Sequence, residues 1–577
     1  MITAPVKLYS LVQFLVFLAI VTALVKPLGG YLEKVFSSKR SALDGLCLPI
    51  ERLLYRIAGI DPEREMSFAE YATSFILFSL TGTLLLYAIL RLQRFLPWFY
   101  PSYHTTPLAP DLAMNTAISF STTSTWQAYG GETTMSYSLQ MLGLCAQNFL
   151  AGAAGLAVGV AFMRGLARQA SHTLGNFWVD LTRALFRVLL PGAVLGAVLL
   201  VWQGVPMNFH PYATATVVEG AKQVIPQGPV AALEIIKNLG TNGGGFFAAN
   251  GAHPYENPTP LSNFIELLAI VLLPAAFTNT FGRMVGQPRQ GWFFYAVMVL
   301  LFSSGIFFVQ HFEQRGNPLL QSVDAQHHAQ QSGGNMEGKE VRFGIGASAL
   351  TAVVTSNAAT GSTNASDDSF TSLAGMTLLM NMLLGEVVFG GLGTGLYSMV
   401  MAAAIAVFLA GLMVGRTPEY LGKKIGPAEN KMITLYALAA PLVILPLTAV
   451  AVSAKAGLSS LTTNTGPHGL TAILFAYTSC FANNGQAFGS LNANTPFYNL
   501  STAFAMMVGR FGLAIPALAF ASLFARQRKT PASLGTLPTD SVTFGVLVTA
   551  CLLLVTALSY LPAFALGPIL ERLLFGT

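Results

Sequence analysis

The chain has little charge for its length. Asp, Glu, Lys and Arg make up 10% of its 577 residues, whereas 53% are hydrophobic. An average soluble domain carries about 25% charged residues. Because so few charges cannot cover a water-soluble surface, soluble globular and disordered classes are both excluded. The composition indicates a polytopic membrane protein.

Cysteine is also scarce, and the motifs of nucleotide chemistry are absent. The four cysteines form no C-x-x-C pair, which indicates free thiols. The sequence has no G-x-x-x-x-G-K-[ST] phosphate loop and no D-K-T-G-T phosphorylation motif. Nothing in it indicates nucleic acid or an organic cofactor. Any active transport by this chain would therefore need a partner that uses ATP.

Glycine, in contrast, is abundant, with 55 residues in the chain. That is roughly one residue in ten, against about 7% in an average protein. In a membrane protein this excess indicates close helix packing and backbone that leaves the helical conformation.

Apolar runs long enough to cross about 30 Å of hydrocarbon occur ten times. They predict an all-α polytopic membrane protein with about ten transmembrane helices. The seventh run is too long for one simple helix and is interrupted by the segment 390–395, GGLGTG. The ten predicted spans are 9–27, 68–94, 135–163, 183–203, 260–282, 291–310, 372–412, 432–454, 496–525 and 540–566.

The distribution of positive charge predicts the orientation in the membrane. The segments after spans one, three, five, seven and nine hold 20 of the 31 Lys and Arg residues, and the other side holds ten. The richer side is therefore expected to be cytoplasmic. Both termini would then face the outer, periplasmic side.

Four of the outward segments share one layout. Each has a short apolar stretch, too brief to cross a membrane, followed by a polar segment rich in Gly, Asn or Thr. Markers taken from the polar segments, Thr123, Gly243, Gly361 and Gly485, are 120, 118 and 124 residues apart. Such a regular period indicates internal repeats. The short stretches are 112–120, 230–239, 346–355 and 469–478, and the polar segments are 121–127, 240–247, 356–364 and 479–488.

The second and fourth copies also match residue by residue. When Asn242 is set against Asn484, six identities occur in 16 aligned positions without a gap. The first and third copies match these two only in pattern.

A span, a half-helix, a polar segment and a second span together predict a re-entrant pore loop. Non-helical backbone is tolerated at membrane depth only where protein buries it or where it lines a water-filled path. The half-helices would point their negative C-terminal ends at the centre, which favours a cation, and backbone carbonyls can replace its hydration shell. The alternative is that the four polar segments are ordinary outward loops rich in turn residues.

None of the central polar segments contains a carboxylate, so the pattern favours a monovalent ion, bound by carbonyl and hydroxyl oxygens. The predicted ion-filter residues, which the resemblance described below makes a K+ site, are Thr122, Thr123, Ser124, Thr125, Asn242, Gly243, Gly244, Thr360, Gly361, Ser362, Asn483, Asn484 and Gly485.

The interrupted seventh span predicts a gate or path element beneath the filter, at Gly390, Gly391, Gly393 and Gly395. Tight helix packing through small residues is the alternative. Two ionisable residues, Glu386 and Arg510, fall within predicted spans, where charge is costly. They would either line the ion path or form a buried salt bridge, with each other or with other residues.

The motifs resemble those of the KdpA family, the potassium-channel-like subunits of the bacterial Kdp potassium-transporting ATPase. The resemblance covers essentially the full length. The matching stretches are LGTNGGGFF at 239–247, HPYENP at 253–258, NMEGKE at 335–340, GEVVFGG at 385–391, GRTPEYLGKK at 415–424, VGRFG at 508–512 and GTLPT at 535–539.

The resemblance implies four pore repeats in one chain around one filter, with an extra helix at each end. It implies a complex with the P-type ATPase subunit KdpB, with KdpC and with the small KdpF, in the bacterial inner membrane. Potassium would be selected in the filter and would pass sideways through a tunnel to KdpB. The resemblance also places Glu386, Arg510 and Gln127 near the ion path, with Gln127 just inside the filter, and a cytoplasmic-side block in the interrupted helix.

Two filter segments depart from the family pattern. Members often carry Thr-Asn-Thr-Asn where this chain has 122–125, TTST, and a Cys-Gly pair where it has Thr360 and Gly361. These changes keep carbonyls and hydroxyls, so coordination is expected to persist.

The predicted organisation has six parts. They are an N-terminal helix and cytoplasmic loop at 1–66, pore repeats at 67–170, 171–288, 289–430 and 431–530, and a C-terminal helix at 531–577.

Two other transporter classes compete with this interpretation. An autonomous potassium channel or symporter of the Trk/Ktr kind shares the four-repeat pore and would need no ATPase partner. A secondary transporter with inverted repeats would have halves of opposite orientation. The charge distribution disfavours the inverted arrangement, because it gives all four repeats the same orientation.

Overall fold

The computed structural model describes residues 4–37, 39–41, 43–95, 105–320, 322, 324–326, 333–531 and 537–575. Two residues of the last family motif, Gly535 and Thr536, lie outside the described residues. Helices are the main secondary structure of the described residues. The helices are α1 Ala4–Phe36, α2 Asp44–Ala58, α3 Phe68–Leu92, α4 Pro110–Ser121, α5 Gly131–Thr134, α6 Ala146–Ala167, α7 Phe177–Arg183, α8 Leu190–Trp202, α9 Val230–Leu239, α10 Pro260–Met284, α11 Pro288–Glu313, α12 Gly344–Asn357, α13 Ser372–Leu383, α14 Thr394–Val414, α15 Pro427–Ser453, α16 Lys455–Leu458, α17 Gly466–Phe481, α18 Pro496–Arg526, α19 Val542–Phe564 and α20 Leu570–Phe575.

Ten helical spans in the described residues are long and apolar enough to cross a membrane, which confirms the predicted number. Three of them include a π-helical stretch, at Leu139–Cys145, Ala184–Leu189 and Ala565–Ile569. The spans are Leu8–Phe36, Phe68–Phe95, Leu139–Ala167, Phe177–Trp202, Pro260–Met284, Pro288–Glu313, Thr394–Val414, Pro427–Ser453, Pro496–Arg526 and Val542–Leu574.

Four short helices, α4, α9, α12 and α17, lie where the half-helices were predicted. Each is almost completely buried and is followed by non-helical backbone. A proline near the start of α4 and of α17 suits the first turn of a helix, where its missing N–H costs nothing. We call these four elements the pore helices.

The core surrounds these pore helices. The span Leu139–Ala167 is 83% buried in its apolar window, whereas Phe68–Phe95 is 22% buried, so the first is central and the second faces outward. Glycine allows close approach between central helices. A Cβ placed on Gly509 of α18 would lie 1.8 Å from the carbonyl oxygen of Phe481, at the end of α17.

The predicted seventh span is not continuous. Helix α13 ends at Leu383 and α14 begins at Thr394. Between them φ is positive at Gly385, Glu386, Phe389 and Gly393, with values of 84°, 57°, 49° and 92°. These dihedrals cannot continue a right-handed helix. The interruption predicted from the glycine run is therefore confirmed, and it begins before that run. We call residues 384–393 the interrupting loop.

Strands contribute only three two-stranded antiparallel ribbons in the described residues. They pair β1 Met66–Ser67 with β2 Thr173–Gly175, β3 Ala213–Thr216 with β4 Lys222–Ile225, and β5 Glu419–Tyr420 with β6 Lys423–Lys424.

Candidate ion filter

The four pore helices end in the same way. Each helix ends two residues before a non-glycine residue with positive φ, and a second positive φ follows two residues later. We number the four residues from the first positive φ as filter positions one to four, and we call the four chain stretches filter segments one to four. In chain order, position one is Thr123, Thr241, Ala359 and Asn483; position two is Ser124, Asn242, Thr360 and Asn484; position three is Thr125, Gly243, Gly361 and Gly485; position four is Trp126, Gly244, Ser362 and Gln486.

This register corrects one equivalence taken from the sequence spacing. Gly243, Gly361 and Gly485 are equivalent, but their counterpart in the first repeat is Thr125 and not Thr123. The spacing of the structural repeats is thus 118, 118 and 124 residues. The predicted pairing of Asn242 with Asn484 is confirmed. The spacing pointed to the wrong residue in the first repeat because the third position there holds threonine, which is uncommon at positive φ.

Position three of each segment contacts the position-two carbonyl of the next segment. A Cβ on Gly243 would lie 2.1 Å from the Thr360 oxygen. One on Gly361 would lie 2.3 Å from the Asn484 oxygen, and one on Gly485 would lie 1.9 Å from the Ser124 oxygen. The four segments therefore meet around one axis, which the sequence pattern had predicted.

Glycine is required at these three positions for two reasons. A side-chain carbon would overlap the neighbouring carbonyl oxygen, and φ is 95°, 68° and 83° at Gly243, Gly361 and Gly485. An L-residue reaches such dihedrals only at a cost of roughly 1–2 kcal/mol.

The first segment has threonine instead of glycine at position three, and a hydrogen bond joins this residue to the next segment. Thr125 has φ 47°, and its hydroxyl donates to the carbonyl oxygen of Asn242. This contact completes the cycle of four, because it joins segment one to segment two. Thr122 lies before the filter positions, where its hydroxyl donates to the Ile118 oxygen over 2.8 Å and approaches the Ser124 hydroxyl at 2.9 Å.

Position four lacks this fourfold regularity. The Gly244 oxygen accepts a hydrogen bond from the Lys237 ammonium over 2.7 Å, and the Trp126 oxygen accepts one from the Ser119 hydroxyl over 2.9 Å. The Ser362 hydroxyl donates to Asn238 over 2.7 Å. Two of the four carbonyls at this position thus already have protein donors.

Gln127 lies one residue beyond position four, and its amide binds the backbone at the equivalent place after the second segment. The Gln127 Oε1 accepts from the N–H of Gly245 over 2.8 Å, and its Nε2 donates to the Gly245 carbonyl over 2.9 Å. The Gln127 side chain, whose place on the ion path stays a prediction, therefore links the backbone that follows segments one and two.

All four position-one residues line a single cavity of about 20 Å³. A volume of this size is enough for about one water molecule. The walls also include Glu386, Gly391 and Arg510, so the structure brings together residues that the sequence had placed only loosely beneath the filter.

The interrupting loop closes the other side of this cavity. The Leu392 N–H donates to the Thr241 hydroxyl over 2.9 Å, directly against position one of segment two. A Cβ on Gly393 would lie 2.5 Å from the Gly155 oxygen, and one on Gly395 would lie 2.5 Å from the Gly390 nitrogen. Tight packing therefore explains part of the glycine run, including Gly393.

Arg510 contacts the filter directly. Its Nη1 donates to the Thr123 hydroxyl over 3.1 Å and its Nη2 to the Ala151 oxygen over 3.0 Å. Its guanidinium also lies over the Phe75 ring, 5.4 Å from the centroid. Within the described residues no ion pair joins Arg510 to Glu386, although both line the same cavity.

Sequence reasoning missed a set of buried polar residues behind the filter. Glu234 and Lys237 form an ion pair of 2.8 Å, and neither side chain is exposed. Glu256 accepts hydrogen bonds from the N–H groups of Phe247 and Gly251, both over 2.9 Å. The available signal was a charged pair, three residues apart, in a half-helix too short to present a solvated face.

A second missed group lies behind segment four. Asp367 is buried, and one of its carboxylate oxygens accepts a hydrogen bond from the Gln486 amide. Burial raises the pKa of Asp367 to about 8. Next to it, Asp368 accepts from the His468 ring over 2.7 Å.

Comparisons with known proteins agree with this geometry. Residues 15–573 match the family model described as KdpA, Potassium-transporting ATPase A subunit. The chain belongs to the KdpA family. It is 53% identical over 561 residues to the "Potassium-transporting ATPase potassium-binding subunit" of Methylobacterium nodulans, covering 97% of each chain. It is 51% identical over 560 residues to the protein of the same name from Rhodopseudomonas palustris, again covering 97% of each.

The fold has a distant likeness among solved structures. The potassium transporter TrkH from Vibrio parahaemolyticus superposes with a TM-score of 0.51 and 14% identity, over 85% of this chain and 96% of that one. At this identity the likeness concerns the fold alone. Together with the ten apolar spans, the family makes this KdpA-family chain a multi-pass membrane protein with the predicted pore-loop architecture.

Proposed function

We propose that this chain is the potassium-selecting and translocating subunit of an ATP-driven high-affinity K+ importer. The observation that carries the proposal is the cycle of four contacts at filter positions two and three, where backbone carbonyls of all four segments meet. Its relatives are named as potassium-binding subunits of a potassium-transporting ATPase, which supplies the ion.

The chemistry of the filter suits a monovalent cation. The position-two and position-three residues supply carbonyl and hydroxyl oxygens, and no carboxylate stands among them. Carbonyl dipoles can replace the hydration shell of K+ without adding net charge. The C-terminal ends of four buried pore helices add a negative potential at the same place.

We propose that the residues beneath the filter form the ion path and a block. In this proposal K+ enters the cavity next to position one, where Glu386 and Arg510 tune its potential. The interrupting loop, with Gly390, Gly391 and Gly393, and the adjoining Gly395 prevent straight passage to the cytoplasm. The ion therefore leaves sideways.

Partners complete the importer. The sequence has neither a phosphate loop nor a D-K-T-G-T phosphorylation motif, so the P-type ATPase subunit KdpB is proposed to hydrolyse ATP. KdpC and the small KdpF are proposed as further subunits. We place the complex in the bacterial inner membrane, with both termini of this chain outside, on the basis of the positive-charge distribution.

The experiment that tests the filter assignment is substitution of Gly243 in the complete complex. Gly243→Asp and Gly243→Ala are expected to abolish high-affinity K+ uptake, because the new side chain meets the Thr360 carbonyl. Gly466→Ala is the matched control, since Gly466 has φ 64° and nothing lies within 4 Å of its added Cβ. Unchanged K+ affinity and selectivity in both Gly243 variants would refute the assignment.

The rival function is an autonomous channel or symporter. It predicts rapid K+ flux when the purified chain alone is placed in liposomes. Our proposal predicts neither ATP hydrolysis nor fast flux from the chain alone, and both activities after the ATPase subunit is added. Fast flux without that subunit would favour the rival.

A further inference from the structure

Lys237 is a buried cation in contact with the filter backbone. It lies on pore helix α9, and its side chain has no exposed surface. Its ammonium donates to the Gly244 carbonyl oxygen over 2.7 Å and pairs with Glu234 Oε1 at 2.8 Å. A fixed positive charge thus lies at a carbonyl of filter position four.

The surroundings of Lys237 are acidic. The carboxyl groups of Glu234, Glu256 and Glu266 are all buried behind the second segment. The Glu234 Oε2 and Glu266 Oε1 atoms are buried without a hydrogen-bond partner. Buried carboxylates need a compensating cation, and Lys237 is the ion-pair partner of Glu234 within the described residues.

The backbone of segment two is correspondingly unusual. Gly243 and Gly244 have consecutive positive φ values of 95° and 71°. In the other three segments the residue at position four does not have positive φ. The carbonyl that follows this extra turn is the one that meets the ammonium. The second segment therefore differs from its counterparts at the atom that Lys237 holds.

We propose that Lys237 is a positioning residue that sets cation selectivity by withholding the Gly244 carbonyl from the transported ion. This inference rests on the proposed function of the filter. The ammonium competes with any cation for that oxygen, and the Ser119 hydroxyl already donates to the Trp126 oxygen, so position four does not form a complete ring. Ion binding is centred on positions two and three, where all four segments meet in the cycle of contacts.

A purely structural role for the Glu234–Lys237 pair is the alternative. The two roles differ in what a neutral substitution changes. Loss of a structural ion pair lowers the yield or thermal stability of the complex and lowers all ion activities together. Release of the Gly244 carbonyl changes the relative affinities for different cations, because a more complete ring of oxygens accepts cations of other sizes.

The test uses the complete transport complex with Lys237→Met. We expect KM for K+ to fall, by up to about tenfold, because the substitution frees the Gly244 carbonyl from a charge-assisted hydrogen bond and removes a positive charge next to the filter. The preference for K+ over Rb+ and NH4+ is expected to fall about fivefold or more by the same reasoning, while kcat changes less than about twofold.

The matched control is Lys339→Met. Lys339 pairs with Glu313 at 2.8 Å, and both side chains are as buried as those of the Glu234–Lys237 pair. Lys339 donates to the Glu337 carbonyl and to no filter oxygen within the described residues. This variant is expected to leave the K+ to Rb+ ratio unchanged.

A second variant covers the case in which Lys237→Met fails to assemble. The double variant Glu234→Gln with Lys237→Met removes both charges and avoids an uncompensated carboxylate. An unchanged ion preference in either variant would overturn the proposal. Failure of both to assemble, while Lys339→Met assembles, would also overturn it in favour of the structural role.

The Gly243 variants separate this inference from the proposed function. If Gly243→Asp abolishes high-affinity uptake and Lys237→Met leaves the ion preference intact, only the inference fails. If Gly243→Asp has no effect on uptake, the filter assignment itself fails.

Discussion

The backbone N–H of Leu392 donates a hydrogen bond of 2.9 Å to the hydroxyl of Thr241. Leu392 belongs to the interrupting loop, and Thr241 is the first filter position of the second segment. One hydrogen bond thus joins the interrupting loop to the second filter segment, the two elements that we propose close the path and select the ion. Both groups are buried, so neither can turn to water if the bond is lost.

Thr241→Val is expected to loosen this junction. Valine has the same shape but leaves the Leu392 N–H without an acceptor, which costs about 1–3 kcal/mol for a buried group. In proteoliposomes of the complete complex we expect ATP-independent K+ leak to increase and the ratio of K+ transported to ATP hydrolysed to fall. Thr241→Ser keeps the hydroxyl and is expected to behave like the parent. A tightly coupled Thr241→Val complex would contradict this role.

Gly393→Ala is expected to displace the interrupting loop. The added Cβ would lie 2.5 Å from the backbone oxygen of Gly155, which belongs to a helix and cannot move aside easily. Gly385→Ala is the matched control, because Gly385 has φ 84° and nothing within 4 Å of its added Cβ. Both variants bear a strain of roughly 1 kcal/mol at positive φ. Only Gly393→Ala is expected to impair K+ transport, and equal activities would show that close packing is not required.

The protonation of His468 is expected to make the stability of the fold depend on pH. Burial opposes its charge, but hydrogen bonds to Asp368 at 2.7 Å and Glu571 at 3.0 Å raise the pKa of His468 to about 9 from 6.5. Because the folded protein holds this proton more tightly than the unfolded chain, its contribution is full below pH 6.5 and is lost as pH rises to about 9.

The measurement for His468 is the melting temperature of the purified protein across that pH range. His468→Gln is expected to be less stable than the parent at pH 6 and to approach it above about pH 9. A constant difference between the two proteins at all pH values would rule out a charged His468.

Asp180→Asn is expected to destabilise the fold strongly. Arg164 donates two hydrogen bonds to this carboxylate, of 2.8 and 2.9 Å, and Tyr71 donates a third of 3.0 Å. Removing the charge leaves a buried guanidinium uncompensated, which costs about 3–5 kcal/mol. Thermal unfolding in detergent checks this. Lys39→Gln, at the exposed ion pair with Glu33, is the control and should cost at most about 1 kcal/mol.

Much of the fold could be predicted because its causes are local. A span of about 20 apolar residues is a property of a contiguous stretch, so all ten spans were found from composition. The break near Gly390 was visible for the same reason, since consecutive glycines do not favour a helix. The pore helices were predicted because each is too short to cross the membrane and precedes a polar segment.

The register of the first repeat could not be predicted in this way. Thr125 occupies the place of a filter glycine because its hydroxyl reaches a carbonyl 117 residues further along the chain. Sequence spacing records distance along the chain and not which atoms meet, so Thr123 appeared the better match. The two hydrogen bonds between the Gln127 amide and the backbone of Gly245 could likewise not be predicted, because they join residues 118 positions apart.

By itself, the sequence determined the class of protein, the ten spans, the four repeats and the residue types of the filter, because hydrophobic length, periodic spacing and glycine content are properties of the chain. Only the tertiary structure decided which carbonyls meet, that Lys237 holds Gly244, and that Leu392 closes on Thr241. Those relationships join distant segments through single hydrogen bonds, whose partners are fixed by packing in three dimensions.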